Sequence, residues 1–439
     1  MRARVPHVLR ANRNFRNYFF GQSVSMLGDQ ITAIALPLTA IIALDATPGQ
    51  MGALTTVYLL PNLLFSLHAG VWVDHSGRRR LVMLVTDVAR ALLMLTIPIA
   101  FAFHELTWPQ LYVVSFLLGT ANVFFYVSYG GFFQTIVERE DFIDANTLLN
   151  GSRGFSFLGG TSLGGALVQL LHGPYALALD AGTFLWSALF MGRIDAKDPP
   201  GAPRESGGLS TGLRWIRHNP VMRAELLGVA TINFFNFIYW ALFLLYASRY
   251  LDVSPATIGV VIGVAAAGTL VASALTGPIA RAIGVGPAFL VGCFLFPAPL
   301  LLVPLAPPGG PHWLVIAFLF TAEFVSGLGL MLLDILAGAL QAGLVPPPIR
   351  SRVGGAFMVV NYGVRPLGTT LAGILGTTIG VHNTIWVGAG GALLGMAFLL
   401  PSPIRQIKDV PEPAEIEQSW GAVTELAAEA APAPESSGA

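Results

Sequence analysis

The first chemistry this sequence offers lies in ionisable side chains inside long apolar runs. Each costs about 2.5–3.5 kcal/mol at the centre of a spanning helix, so each needs a partner or a task. Asp29 stands near the middle of the run 17–43, beside Gln30 and one turn from Ser25, with no basic residue within four positions. Glu323 is equally isolated in 312–339, and Asp334 follows eleven residues later on nearly the same helix face. A carboxyl so placed can take a proton from one side of a membrane and release it on the other. Asp29 is therefore the first candidate for proton coupling, Glu323 the second and Asp334 the third. Asp87 and Arg90, at i and i+3 in 81–103, can pair. They read as a neutralised couple near the cytoplasmic face, grouped with gating. Asp180, in 174–194, reads as a residue that snorkels outward or caps a neighbour, and Arg365 precedes Pro366 in 354–378. Asn233 and Asn236 stand among Phe234, Phe235, Phe237, Tyr239 and Trp240, and Phe124, Phe125, Tyr126 and Tyr129 form a second aromatic group. Aromatic walls with a few amides suit a bulky, partly apolar ligand, which makes Asn233, Asn236, Tyr239, Trp240 and Tyr126 the substrate-binding candidates.

These residues need helices to hold them. Of 439 residues, 54% are hydrophobic and 11% charged, with mean hydropathy +0.67. Soluble domains carry about 25% charged residues, so the class is an all-α polytopic membrane protein. Twelve apolar runs are long enough to span: 17–43, 50–72, 81–103, 109–131, 147–171, 174–194, 224–248, 256–279, 287–306, 312–339, 354–378 and 380–401. With these runs, twenty of the twenty-four Arg and Lys fall on one side; only Arg249 falls on the other, and Arg90, Arg153 and Arg365 lie within spans. Basic residues accumulate on the cytoplasmic side, so both termini are expected there, in a cell (inner) membrane. The first run is too long for a signal-peptide core.

The expected domains are a first six-helix bundle 1–194, a cytoplasmic linker 195–222, a second bundle 223–402 and a disordered acidic tail 403–439. Pro199 to Ser210 should be flexible, whereas Leu213, Trp215 and Ile216 among Arg214, Arg217 and His218 suit a short amphipathic helix on the membrane surface. From Asp409 the tail has seven acidic residues and no basic one. A shift of 207 superposes Gly21 on Gly228, Pro48 on Pro255, Gly70 on Gly277 and Gly77 on Gly284, with Asp29 falling on Asn236. A shift of 208 superposes Gly160–Gly165 on Gly368–Gly373. Six spans per copy is an even number, so the halves form a parallel repeat. Gly160 and Gly164 sit at the spacing that lets helices approach closely. The formal net charge is zero, which gives no field for nucleic acid, and the lone Cys293 excludes a disulfide framework or a cysteine-based metal cluster. No phosphate loop, zinc motif or nicotinamide fingerprint is present, so no cofactor and no metal is expected.

One polar turn orders the rest. Gly70-Val71-Trp72-Val73-Asp74-His75-Ser76-Gly77-Arg78-Arg79-Arg80 lies between the second and third runs. It resembles the loop signature of the major facilitator superfamily between helices 2 and 3; Gly70, Asp74, Gly77, Arg78 and Arg79 match, and His75 departs. Asn12 to Asp29, with Ala145-Asn146, is similar to the branch holding bacterial macrolide exporters and enterobactin-type siderophore exporters. Gly160-Thr161-Ser162-Leu163-Gly164 partly resembles an antiporter signature in which Thr161 replaces a proline. The resemblance implies twelve helices in two parallel six-helix repeats and no enzymatic activity. It implies proton-coupled efflux of amphipathic small molecules, with Asp74 and the following arginines latching the cytoplasmic side shut. Small-molecule substrate, protons and membrane lipids are the expected partners of a monomer. The rival readings are a lipid or lysolipid translocator of the same fold and a non-transporting receptor or scaffold.

Overall fold

Helix starts in this chain are written in short polar residues followed by proline. Thr47 caps Pro48–Ser76, and its side chain and that of Gln50 satisfy each other's backbone N–H groups. Ser254 caps Pro255–Ile283, and Asn12 and Asn219 cap the helices that precede these two. Proline at the first turn loses no intrahelical bond. These devices keep the 207-residue spacing, since Asn12 falls on Asn219 and Thr47 on Ser254. The positive backbone φ angles do the same: Asp45 (49°) matches Asp252 (52°), and Gly77 (56°) matches Gly284 (95°).

The computed structural model describes residues 7–196 and 208–410, and these contain helices and no strand. The linker from Lys197 to Gly207 and the tail beyond Val410 lie outside the described residues. Two expectations are corrected at their edges. Gly208, Leu209 and Ser210, expected to be flexible, begin the helix Gly208–His218. Residues 403–410, expected in the disordered tail, form a 3₁₀ turn at Pro403–Gln406 that buries Ile404, while the Val285 and Gly286 N–H groups donate to the carbonyls of Lys408 and Ile407 at 2.9 and 2.8 Å. We number the long helices α1 Arg13–Ala43, α2 Pro48–Ser76, α3 Arg79–Ala102, α4 Trp108–Ile136, α5 Phe142–Leu171 and α6 Gly173–Gly192. The second half gives α7 Pro220–Arg249, α8 Pro255–Ile283, α9 Val285–Leu295, α10 His312–Leu344, α11 Arg350–Thr378 and α12 Val381–Ala392. After α9 and α12 the chain passes through a 3₁₀ turn into a further short helix. Among the described residues, nine segments are long and apolar enough to cross a membrane, and α2, bent by 57° between Ser66 and His68, is a tenth. Of the other two, α11 is diluted by Arg350, Arg352 and Arg365, and α12 is shortened by its 3₁₀ break. Together they complete twelve.

Within the first bundle α1 packs on α5 and α6, α2 on α4, and α3 on α6; in the second, α7 packs on α11 and α12, and α8 on α10. The bundles meet along two seams, α2 with α11 and α5 with α8. Lipid leaves no hydrophobic force to drive helices together, so close approach rests on small residues. Gly52 faces Gly373 in one seam, where an added Cβ would stand 2.6 Å from the Gly373 backbone nitrogen. Gly165 faces Gly259 in the other, where an added Cβ would stand 2.9 Å from the Gly259 Cα. Gly160 and Gly164 bring α5 onto α1, beside Gln30 and Ile31.

The buried apolar residues show that the seams close only one end. Ile34, Met51, Leu118, Phe243, Ile258 and Ile385 belong to a single cluster drawn from both bundles. Towards the loop 77–78 the core divides. Phe15, Phe132, Ile136 and Leu149 form one cluster in the first bundle, and Trp215, Phe289, Leu340 and Phe357 form another in the second. Arg249 ties the closed end, donating to Asp45 Oδ1 at 2.5 Å and to the carbonyls of Ala46 and Ile41 at 2.8 and 3.0 Å. The linker helix Gly208–His218 packs on α11 and buries Trp215 and Ile216.

Candidate substrate and coupling site

Charge in the first bundle gathers around one guanidinium. Arg90 on α3 is fully buried, with its Cζ 4.0 Å from the Phe125 ring centre and 4.3 Å from that of Phe184. Its Nη2 donates to Asp87 Oδ1, and its Nη1 donates to Asn122 Oδ1 at 3.0 Å and stands 3.5 Å from Asp29 Oδ1. Asp87 Oδ2 accepts from Ser187 at 2.7 Å, and Ser187 Oγ accepts from Gln22 at 3.2 Å. Asn122 donates to the Tyr58 hydroxyl at 3.0 Å, and the Tyr126 hydroxyl donates to Asp29 Oδ2 at 3.4 Å. One α-helical turn on α3 thus supplies a carboxylate and a guanidinium, and helices α1, α2, α4 and α6 supply everything that completes them. Asp87 and Arg90 have no exposed side-chain surface, whereas that of Asp29 is 19% exposed. Of these three charged groups, Asp29 is the one with exposed side-chain surface.

Asp87 and Arg90, grouped by sequence with the loop, therefore sit with Asp29. Asp29 has no basic neighbour in its own run, because its cation comes from a helix two passes later. Asp180 does not snorkel outward: it is fully buried, accepting from Thr32 and, at 2.7 Å, from Thr183, within electrostatic range of Asp29.

The second bundle keeps its acids apart. Glu323 on α10 is buried and accepts from the Tyr239 hydroxyl at 3.3 Å. Asp334, on the same helix, is exposed, so the two do not share a setting. Glu225 on α7, which the sequence reading passed over beside Arg223, is buried and accepts from Gln341 at 2.7 Å. Its place as the second residue of the apolar run 224–248 was the available signal. Asn233 donates to Asn361 at 3.0 Å. Asn236 is 4% exposed and Tyr239 not at all, so neither lines an open space here. The backbone turn places Tyr239 inward onto Glu323 and packs Trp240, half-buried, edge-on to Tyr239 and Phe243. Tyr126, by contrast, is 55% exposed.

At the loop, Gly77 ends α2 in a left-handed conformation that a side chain would strain. Asp74 pairs with Arg79 at 3.1 Å, Arg80 donates to the carbonyls of Met191 and Gly192 at 3.1 and 2.6 Å, and His75 bonds the Val71 carbonyl. Gly131 on α4 leaves room for Arg79, whose Nε would stand 2.6 Å from an added Cβ. Arg78 is exposed at the start of α3, and Gly70 is buried one turn before Asp74. The residues of the loop motif are thus brought together with α4 and α6, apart from the Asp29 network. Among the described residues no cluster of His, Cys, Asp and Glu could hold a metal ion.

Twelve helices in two repeated bundles, joined at one end and parted at the other beside a buried charge network, define a membrane-transporter architecture. The sequence profile of the Major Facilitator Superfamily matches over residues 18–248 and 226–431, and the chain belongs to that superfamily. It is a multi-pass membrane transporter and not an enzyme. It is 25% identical over 409 residues to YfiS, an uncharacterised transporter of this type from Bacillus subtilis, covering 90% of this chain and 92% of that one. It is 25% identical over 424 residues to the multidrug efflux pump Tap of Mycolicibacterium fortuitum, covering 88% and 95%. In fold it is similar to the nucleoside transporter NupG, with TM-score 0.72, 12% identity and coverage of 88% and 99%. It is also similar to a bacterial homologue of the iron transporter ferroportin in its inward-facing state, with TM-score 0.70, 15% identity and coverage of 89% and 98%.

Proposed function

We propose that this transporter exports amphipathic small molecules in exchange for protons, by alternating access between its two bundles. The observation that carries the reading is Asp29, a part-exposed carboxylate bound into the buried network of Arg90 and Asp87. With all of Asp29, Asp87 and Asp180 ionised, three carboxylates face one guanidinium in a low dielectric. A proton on Asp29, or a cationic or hydrogen-bond-donating part of a substrate beside it, relieves the same excess of negative charge, so the two compete. Competition between proton and substrate is what exchange requires. The likeness to the efflux pump Tap and to the macrolide and siderophore exporter branch supports export of drug-like compounds.

In this reading both termini face the cytoplasm, the parted end opens inward, and the Arg249–Asp45 tie closes the outer side. Bundles 1–194 and 223–402 rock about the glycine seams, and Asp74 with Arg79 re-forms an inner latch when the cleft closes. Asn233 orients the ligand, and Tyr126 presents Asp29 to it. Glu323 and Asp334 are the reserve coupling sites, and the protein works as a monomer in the inner membrane. The test is Asp29→Asn in proteoliposomes with an imposed proton gradient. Uphill efflux should vanish while downhill substrate exchange survives; retained uphill efflux would move the coupling role to Glu323.

A second reading, translocation of a lipid or lysolipid, draws on an apolar groove of about 850 Å³ between α2, α3 and α4. It is lined by Phe65, Trp72, Leu81, Val85 and Phe124, with Arg78 at its edge. A scaffold without transport has no such observation in its favour.

A further inference from the structure

Arg90, Arg249 and Arg365, all in spanning helices, differ in how they are answered. Arg90 has carboxylates on both sides and an amide oxygen. Arg249 has Asp45 and two carbonyls. Arg365 on α11 has no carboxylate within 4.0 Å among the described residues; its buried Nε, like that of Arg90, has no hydrogen-bond partner. Its guanidinium instead lies over two rings, 4.2 Å from the centre of Tyr362 and 5.0 Å from that of Phe237. Rings hold a guanidinium through their faces and leave its N–H edge available. Asp334 acts on it electrostatically from α10 but stands outside ion-pairing distance and is itself exposed.

The position of Arg365 is that of a ligand-facing group. Towards the closed end, the α2–α11 seam is tight, with Thr56 bonded to Thr369 at 2.7 Å. Gly363 still has Leu63 beside it, at 3.3 Å from an added Cβ, but Gly354 and Gly355 have nothing within 4 Å. Arg365 therefore stands where the seam gives way to the cleft. Its depth matches that of the coupling carboxylate. Asn236 occupies the repeat position of Asp29, and Phe237, the next residue, is one of the two rings under the guanidinium. Tyr362, the other ring, is 37% exposed.

We propose that Arg365, backed by Tyr362 and Phe237, receives an anionic group of the transported molecule. The substrate class is then amphipaths carrying a carboxylate beside an aromatic or apolar body. A guanidinium fork with no carboxylate in ion-pairing distance suits a carboxylate in bidentate fashion, and the same rings extend an apolar platform beneath it. This inference rests on the reading of the chain as a small-molecule transporter, but not on proton coupling.

The test is fluorescence-detected binding to the full chain in phosphatidylcholine nanodiscs, with no gradient present. The probes share one aromatic body: dansylglycine is anionic, its amide is neutral and dansylcadaverine is cationic. Dansylglycine should bind at least tenfold tighter than the amide. Arg365→Gln should abolish that preference and leave binding of the amide within about twofold, which shows that the cleft is intact. Arg365→Lys should keep only part of the preference, since it keeps the charge and loses the fork. Asp29→Asn removes a carboxylate that repels the anion and should keep or widen the preference, so that failure of the coupling assignment and failure of this one are separately visible. Equal binding of the anion and the amide by the unmodified protein, or an undiminished preference in Arg365→Gln, would overturn the proposal.

Discussion

The two bundles descend from one repeat and treat buried charge in opposite ways. The first concentrates it: Asp29, Asp87, Arg90 and Asn122 form one network, with Asp180 beside it. The second disperses it: Glu323 has a tyrosine, Glu225 a glutamine, and Arg365 two aromatic faces. At the repeat position of Asp29 stands Asn236, buried with its Oδ1 unpartnered. A concentrated network ties several helices to one protonation state, whereas dispersed groups can each change without disturbing the rest. On the proposed reading, the contrast places the switching task in the first bundle and recognition of an anionic group in the second.

The sharpest way to break this contrast is to remove the cation at its centre. Arg90→Met leaves Asp87 buried without its partner, and breaking a buried pair in this way costs about 3–5 kcal/mol. The expected result is loss of monodisperse protein or a large drop in detergent melting temperature, partly restored by adding Asp87→Asn. An Arg90→Met protein that melts like the parent would show that the network is not what holds α1, α3 and α6 together.

Exchanging the repeat-related residues tests the asymmetry itself. Asn236→Asp places a carboxylate at a buried position whose Oδ1 has no hydrogen-bond partner, at a cost of about 2.5–3.5 kcal/mol on the insertion scale. Asp29→Asn leaves Arg90 with Asp87 and should change stability by under about 1 kcal/mol, its effect appearing in coupling instead. Equal destabilisation by the two substitutions, measured by thermal unfolding in one detergent, would count against the asymmetry.

The smallest effect is expected at Glu323. Glu323→Gln keeps an acceptor for the Tyr239 hydroxyl, so the change should stay within about 1 kcal/mol. Proton-driven efflux should continue at near the parental rate. Loss of efflux with the protein intact would transfer the coupling role to the second bundle.

Much of the architecture was legible along the chain because its causes are local. The long apolar runs follow from the thickness of the bilayer. Ten of the twelve expected spans correspond to a helix within about five residues at each end, while 287–306 and 380–401 are each met by a helix broken by a 3₁₀ turn. Thr47-Pro48 and Ser254-Pro255 start helices through their own atoms. The loop from Gly70 to Arg80 could be recognised because its turn and charges are consecutive. The chemistry was less legible. Asp29 was found because charge is conspicuous in an apolar run, but its partner Arg90 lies on another helix. Arg90 was assigned to its i,i+3 neighbour alone because spacing along one helix reveals only neighbours on that helix. Tyr239 and Asn236 were read as cavity residues because composition does not say which face of α7 turns inward.

The sequence by itself therefore determined what lipid and the backbone demand of a segment: which stretches span, where helices begin, that the halves are copies, and which polar residues need an explanation. The tertiary structure decided which of those residues answer one another. It put Asp29 and Asp87 on one guanidinium, left Arg365 with aromatic faces, and closed one end through Arg249 and the seams at Gly52 and Gly165. The physical reason is range. Helix formation and membrane insertion are settled within about 20 residues of chain. An ion pair is settled within a few ångströms of space, and only packing brings residues 29 and 90 that close.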